Sequence, residues 1–519
     1  MRAQPPTTAQ FKQPPEPVSG AGGDRAGDRA TERRIRARDG NFGLSLLAGV
    51  SLAFTLAVLA FTSMRMSLSW DENVYASQIS QHVPMLWSAE RARGMPLLIA
   101  PVTLLTQSAT VLRVYLTLLA GLGLFAALLC WRRLRPDWVL ALAGLVFGGL
   151  WVAESEASRV HPNFWIALAA LAAVGLFLRS VTGIGGRGSV VLLGVATTFA
   201  SLMRPTDAVV LLCPLLLAAA VLVLRSRADW RAELSRVSGA VIAIVIGLAV
   251  GIGEWVVEAF LYFGGPSDRL KAQGDAVGGT NFDPISSLRI LSGGRAASEP
   301  GHPTLTGWSD PWLLLWWLAL GLIAILGMYA TWRASGWLLA LTPAFCAACE
   351  YLLYTFPVRD NNRYLLPTWA LLAIPAADGL AWLLTRPRGR VRLAAISVAT
   401  AFLVIELCTQ HAVLYTQTHG GPRTGPTPSS ASDILRQRGL AAPCEVTSVS
   451  GHAFVGISEP VAYDLDCTFK WSLAKLSAAG HDRVVVLVRG TKRPHPYARG
   501  WPAYQLGDDI VAYVQPAGQ

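Results

Sequence analysis

Asp71 and Glu72 stand side by side in Ser69-Trp70-Asp71-Glu72-Asn73-Val74-Tyr75, a few residues past the end of the first long apolar run. Beside a bilayer a carboxylate is costly and seldom idle: it accepts a proton, holds a cation or pairs with an arginine. Tyr75 follows close behind. A second acidic pair, Glu154 and Glu156, closes a later apolar run. Two residues apart on a helix, these acids diverge by about 200°, so at most one of them faces a given cavity. Cations recur at similar junctions. Arg204-Pro205-Thr206-Asp207 interrupts two apolar runs, and Arg363-Tyr364 opens another. An arginine at a membrane surface suits a phosphate, which it grips bidentately, and Asp207 offers Arg204 an internal partner. Arg91 and Arg93 read as headgroup contacts, and His161, before Pro162, reads as a helix start.

These residues need elements to hold them, and composition says which. Of 519 residues, 52% are hydrophobic and 15% charged, too apolar for a soluble chain of this length. The formal charge of +11 does not imply nucleic acid, because the basic residues recur in short clusters between apolar runs, as cytoplasmic loops do. Residues 1–40, rich in Pro, Gly, Arg and Asp, read as a disordered tail. The cluster Arg33-Arg34-Ile35-Arg36-Ala37-Arg38 precedes the first span, about Phe42 to Met64, and so places the N-terminus in the cytoplasm. Further spans follow at about Ala109–Trp131, Trp138–Ala153, Pro162–Leu178, up to Met203, down to Leu224, Gly239–Tyr262, Trp312–Trp332, Gly336–Phe356, Tyr364–Leu384 and Leu393–Leu414. Pro96–Thr106 is apolar but too short to span. The expectation is a polytopic all-α membrane protein of about eleven transmembrane helices, with Asp71, Glu72, Glu154, Glu156 and Asp207 outside and the Arg-rich connections inside. Trp308, Trp312, Trp316 and Trp317 read as an interfacial belt, and the long loop Gly264–Asp310 as a lid.

Residues 416–519 read as a small extracytoplasmic α/β domain. Helices are expected at Ser432–Arg438 and Phe469–Ala479, strands at Glu445–Val449, Val461–Leu465 and Val484–Val488, and a hairpin at Ala503–Gln505 with Ile510–Val514. Outside the cytoplasm, Cys444 and Cys467 are in a compartment that permits a disulfide.

The Asp71-Glu72 pair, the Gly94-x-Pro96-Leu97-Leu98 segment, the acidic end of the third span, Arg204-Pro205 and Arg363-Tyr364-Leu365-Leu366-Pro367 together resemble the GT-C class of integral-membrane glycosyltransferases. Protein O-mannosyltransferases and aminoarabinose transferase-like enzymes are the similar families within it. The sequence departs from them in lacking His-Pro-Pro or Lys-Pro-Pro before the short helix. The resemblance implies a catalytic domain over residues 41–415 that moves a sugar from a polyprenyl-phosphate-linked donor to an extracytoplasmic glycan, lipid or protein acceptor. A bacterial plasma-membrane location goes with it. It also implies Asp71 as general base, with Glu72, Glu154 and Glu156 as supporting acids. Tyr75, Arg204, Asp207, Arg363 and Tyr364 become substrate-binding residues. No dense acidic cluster obliges a metal; one divalent ion held by Asp71 with Glu154 or Glu156 is left open. The competing classes are a transporter or flippase of lipid-linked saccharide, which inverted repeats would favour, and a non-catalytic scaffold of envelope assembly.

Overall fold

Long apolar stretches punctuated by Pro, Gly and Arg become helices in the computed structural model, which describes residues 24–79, 88–226, 228–277, 311–354, 362–419, 428–448, 455–470, 483–489, 496–507 and 510–516. The chain forms two units, Met1–Ser45 and Leu46–Gln519. The first contains the start of helix α1 (Asp24–Phe61), which begins within the stretch read as a tail. In the second, α2 (Trp70–Ser77) and α3 (Gly94–Thr103) are short; α4 (Ala109–Leu129), α7 (Pro162–Val181), α9 (Pro205–Arg225) and α10 (Trp230–Tyr262) are long. Between them lie α5 (Asp137–Gly148), α6 (Trp151–Ala157) and α8 (Arg187–Met203). After α11 (Pro266–Val277) come α12 (Pro311–Ser335), α13 (Trp337–Leu353), α14 (Leu366–Thr385) and α15 (Gly389–His419).

Among the described residues, eight helices are long and apolar enough to cross a membrane. The expected third span is instead α5 and α6, bent by 80° at the break between them. The remaining two, α8 and α13, have 17 residues each, about 26 Å of helix, so the count of eleven rests on this bent pair and these two. The protein is a multi-pass membrane protein with a mostly helical body and a small C-terminal sheet region.

Helix α7 is apolar all round and almost wholly buried, the pattern of a central helix. Small residues set the closest crossings. A Cβ on Gly327 of α12 would lie 1.8 Å from the Pro375 carbonyl of α14, and one on Gly379 would lie 2.1 Å from the Ile323 carbonyl. A Cβ on Gly94 would meet the Leu202–Met203 backbone at 2.7 Å, which explains why glycine opens α3 where it abuts α8. The expected Trp belt is corrected in part: Trp316 and Trp317 are buried and pack on Phe402 and Trp369, at 4.8 and 4.3 Å between ring centroids. Trp308 lies outside the described residues.

The C-terminal region holds α16 (Pro428–Gln437), β1 (Cys444–Ser448), α17 (Val455–Leu465), β2 (Thr468–Phe469), β3 (Arg483–Arg489), β4 (Ala503–Gly507) and β5 (Ile510–Val514). Its five strands run in the order β2-β1-β3-β5-β4; β1 is parallel to both neighbours, with Val446 opposite Val485, and β4–β5 is the expected hairpin. Val461–Leu465, expected as a strand, is helical: it continues the helix from Val455 and buries Val461, Ala462, Tyr463 and Leu465, a short, mostly apolar run that either period fits. The helix expected over 469–479 falls largely outside the described residues. Cys444 and Cys467 are disulfide-bonded, joining β1 to the end of α17. Helix α17 packs on α2, and the Ser67 hydroxyl donates to Asp464 at 3.2 Å.

Candidate active site

Helix α2 begins at the two acids, and its first turn separates them. Consecutive helical residues point about 100° apart, so Asp71 faces a cavity while Glu72 faces the protein. Glu72 is 1% exposed. Arg113, 0% exposed, grips it bidentately, Nη1 to Oε1 and Nη2 to Oε2, both at 3.1 Å. The Val160 N–H donates to Oε1 at 3.0 Å and the Ser69 N–H to Oε2 at 2.8 Å. Arg113 also donates to the carbonyls of Met66, Ser67 and Ser158. Burial by itself would raise the Glu72 pKa; Arg113, His161 and Arg159 together outweigh it and hold the carboxyl well below the usual range. The pair is a pin joining α2, α4 and the turn before α7.

Asp71 is paired with two guanidiniums: Arg91 contacts Oδ1, and Arg363 Nη2 donates to Oδ2 at 2.6 Å. Here too burial works upward, but Arg91, Arg363 and His161 hold the acid well below its ordinary pKa. Arg363 reaches on to His161, 3.0 Å from Nε2, and His161 Nδ1 lies 2.7 Å from Glu156 Oε2. Arg91 also sits over the Tyr75 ring, 5.4 Å from its centroid. Burial pushes the Tyr75 phenol up to about 12, so it stays neutral and able to donate.

A second unit lies across the cavity. Arg204 Nε pairs with Asp207 at 2.9 Å, Nη1 donates to Asn163 Oδ1 at 2.6 Å, and Nη2 donates to the Tyr354 hydroxyl at 2.6 Å. That hydroxyl donates in turn to Asp207 at 2.7 Å. The Tyr354 and Tyr364 rings stack at 5.1 Å, and the Arg204 guanidinium lies 4.8 Å from the Tyr364 centroid. The cavity between the two units has a volume of ≈ 450 Å³, within the roughly 300–1,000 Å³ of small-molecule sites. Trp255 of α10 and Gln273 of α11 complete its wall. Helices α7 and α9 start at its edge with Pro162 and Pro205 in their first turns, so their positive ends add to a setting favourable to an anion.

The residues singled out from sequence fall into three groups. Asp71, Tyr75, Arg204, Asp207, Arg363 and Tyr364 line one cavity. Glu72 and Glu156 stand behind it, on Arg113 and on His161. Glu154 turns the other way, its Oε1 3.2 Å from His411 Nε2 on α15, as the divergence along α6 requires. Asp71 is paired with arginines, and among the described residues no group of three or more His, Cys, Asp or Glu side chains is arranged to hold a metal ion. Arg91 is corrected from a headgroup contact to a partner of Asp71, and Arg93 to a partner of Glu258 at 2.7 Å. Arg269, placed in the expected lid, is 0% exposed; it donates to the carbonyls of Ala89, Trp255 and Arg91 and pairs with Glu258. Residues 278–310 lie outside the described part. Sequence reasoning also missed Arg113, although an arginine in the second span needs a buried partner, and it missed His161 as part of the site.

No family model matches the chain, and no curated protein sequence matches it. Solved structures share its fold. ArnT from Cupriavidus metallidurans in the apo state superposes with a TM-score of 0.61 at 14% identity, over 92% of this chain and 98% of that one. The same protein bound to undecaprenyl phosphate gives 0.59 at 15% identity, over 91% and 98%. The Archaeoglobus fulgidus oligosaccharyltransferase tethered with an acceptor peptide gives 0.54 at 12% identity, over 82% and 63%. The chain therefore has the fold of GT-C class membrane glycosyltransferases.

Proposed function

We propose that the protein is a glycosyltransferase that moves a sugar from a polyprenyl-phosphate-linked donor to an acceptor outside the cytoplasm, with Asp71 as the general base. The observation that carries this is the cavity itself, which Arg91, Arg204 and Arg363 line together with the carboxylates Asp71, Glu90 and Asp207; Asp207 is locked by Arg204 and Tyr354, and Asp71 stands between Arg91 and Arg363. Guanidiniums and helix N-termini stabilise a departing phosphate, and a carboxylate facing the same space takes the acceptor proton. The acceptor oxygen bonds to the anomeric carbon, the carbon–oxygen bond to phosphate breaks with its electron pair left on the phosphate, and the acceptor hydroxyl proton passes to Asp71. Arg204, held on three sides by Asp207, Asn163 and Tyr354, serves as the fixed cation.

The fold shared with ArnT, solved with undecaprenyl phosphate, supports a lipid-linked donor. The Arg-rich connections support a bacterial plasma-membrane location with the N-terminus in the cytoplasm and the cavity on the opposite face. On this basis residues 41–415 are the catalytic domain and 416–519 an extracytoplasmic domain braced against α2. Purified protein is incubated with undecaprenyl-phosphate-linked sugars and candidate glycan, lipid and peptide acceptors, and donor consumption is followed by mass spectrometry. Asp71→Asn should abolish turnover; turnover at the wild-type rate would end the assignment of Asp71. Movement of intact donor across the bilayer without cleavage would indicate a flippase instead.

A further inference from the structure

The cavity contains two arginine–acid units, and they are not alike. In one, Asp207 is 2% exposed, holds Arg204 at 2.9 Å and takes the Tyr354 hydroxyl, so it is locked on all sides. In the other, the Asp71 side chain is 29% exposed and carries two guanidiniums, those of Arg91 and Arg363. Asp71 thus holds two cations from the side open to a ligand, with Glu90 acting on Arg91 and Glu156 on Arg363 from elsewhere. The phosphate of a sugar-bearing polyprenyl donor is a diester with one negative charge and two non-bridging oxygens, a match for a carboxylate on two guanidiniums, and the polyprenyl phosphate left after transfer is a monoester of about −1.5 to −2 charges with three such oxygens.

We propose that Asp71 is a built-in stand-in for the donor phosphate: on binding, the phosphate of a polyprenyl phosphate takes over Arg91 and Arg363, and only then is the Asp71 carboxylate released to act on the acceptor. The proposal rests on the cavity being a polyprenyl-phosphate donor site. It resolves a conflict in the resting site, where a carboxylate clasped by two arginines is a poor base. Burial favours the protonated acid, and only the neighbouring cations reverse this. Once the phosphate draws them away, the basicity of Asp71 rises while the acceptor is being positioned. Arg363 keeps its second contact, to His161 Nε2 at 3.0 Å, which holds the guanidinium in place during the exchange.

A competing internal anion predicts an uncommon outcome: removing it should tighten ligand binding. Undecaprenyl phosphate binding to the full-length protein in nanodiscs is titrated for wild type and Asp71→Asn, alongside undecaprenol, which lacks the phosphate. Asp71→Asn is expected to bind undecaprenyl phosphate at least about fivefold tighter, a coupling of ordinary size between competing ligands, with undecaprenol bound equally by both proteins. Equal or weaker phosphate binding by the variant would overturn the proposal, and so would a matching gain for undecaprenol, because the effect would then not involve the phosphate. Wild type that binds undecaprenyl phosphate no better than undecaprenol would instead remove the donor-site assignment beneath it. Should Asp71→Asn fail to fold, Asp71→Ser removes the same charge and gives the same comparison.

Discussion

Glu72→Gln is the substitution whose cost can be worked most directly from the geometry. Oε1 of Glu72 accepts from Arg113 Nη1 and from the Val160 N–H; Oε2 accepts from Arg113 Nη2 and from the Ser69 N–H. Glutamine has one acceptor oxygen and one NH2 donor. Whichever position the NH2 takes, it faces two donors, so one bond to Arg113 and one to a backbone N–H are lost together. The Arg113 charge, 0% exposed, then has no paired acid among the described residues. Breaking a buried pair by removing one partner costs about 3–5 kcal/mol, and an orphaned backbone donor falls within that figure. The assay is denaturation in mixed micelles followed by Trp fluorescence, on Glu72→Gln, Arg113→Met and the double variant. The two single costs should exceed the cost of the double when added, since both remove the same contact. Because Glu72 does not line the cavity, protein that remains folded should keep its KM for donor. A loss below about 1 kcal/mol with additive singles would falsify the idea that this pair is a pin.

The same contact sets a pH dependence. Glu72 is held below its unfolded pKa, so the stability it adds is complete above about pH 5 and is lost as pH falls through 4 toward the folded value. The gap in stability between wild type and Glu72→Gln should therefore be constant from pH 8 to 5 and shrink below 4. Tyr354→Phe removes the hydroxyl that links Arg204 and Asp207 and should lower kcat by about tenfold to a hundredfold, with a smaller change in KM; steady-state kinetics decide. Gly327→Ala puts a Cβ where the Pro375 carbonyl of α14 already sits and should cost about 1–3 kcal/mol through overpacking, seen as a lower melting temperature in detergent. Replacing Cys444 and Cys467 by Ser opens a loop of sequence separation 23, worth about 3 kcal/mol in chain entropy. Limited proteolysis should then cleave the C-terminal region faster without a matching change in the membrane helices.

Much of the fold is legible in the sequence because a bilayer demands about 20 apolar residues per span. The spans end where Arg, Pro or Gly makes them end. Arg204 with Asp207 was also within reach, three residues apart across the first turn of α9. The remaining pairs join residues far apart in the chain: Arg363 lies 292 positions from Asp71, and Arg113 lies 41 from Glu72. No local period encodes such pairings; they follow from how the helices cross. Likewise the 80° bend between α5 and α6 was not visible in a run read as one straight span. Val461–Leu465 differs from the expected strand because a run of four apolar residues broken by Asp464 is too short for its period to separate a strand from a buried helical turn.

The packing of α17 on α2 has a practical consequence for how the chain can be divided. Helix α2 has eight residues, too few to persist in water without support, and its first turn carries Asp71. It leans on α17, with Ser67 tied to Asp464 just before it. A protein cut after α15 would retain every apolar span and insert into a bilayer, yet it would leave that face of α2 open to water. Truncation there should spare membrane insertion and abolish transfer. The C-terminal region is thus a structural support for the helix that carries Asp71, and its removal tests the proposed transfer.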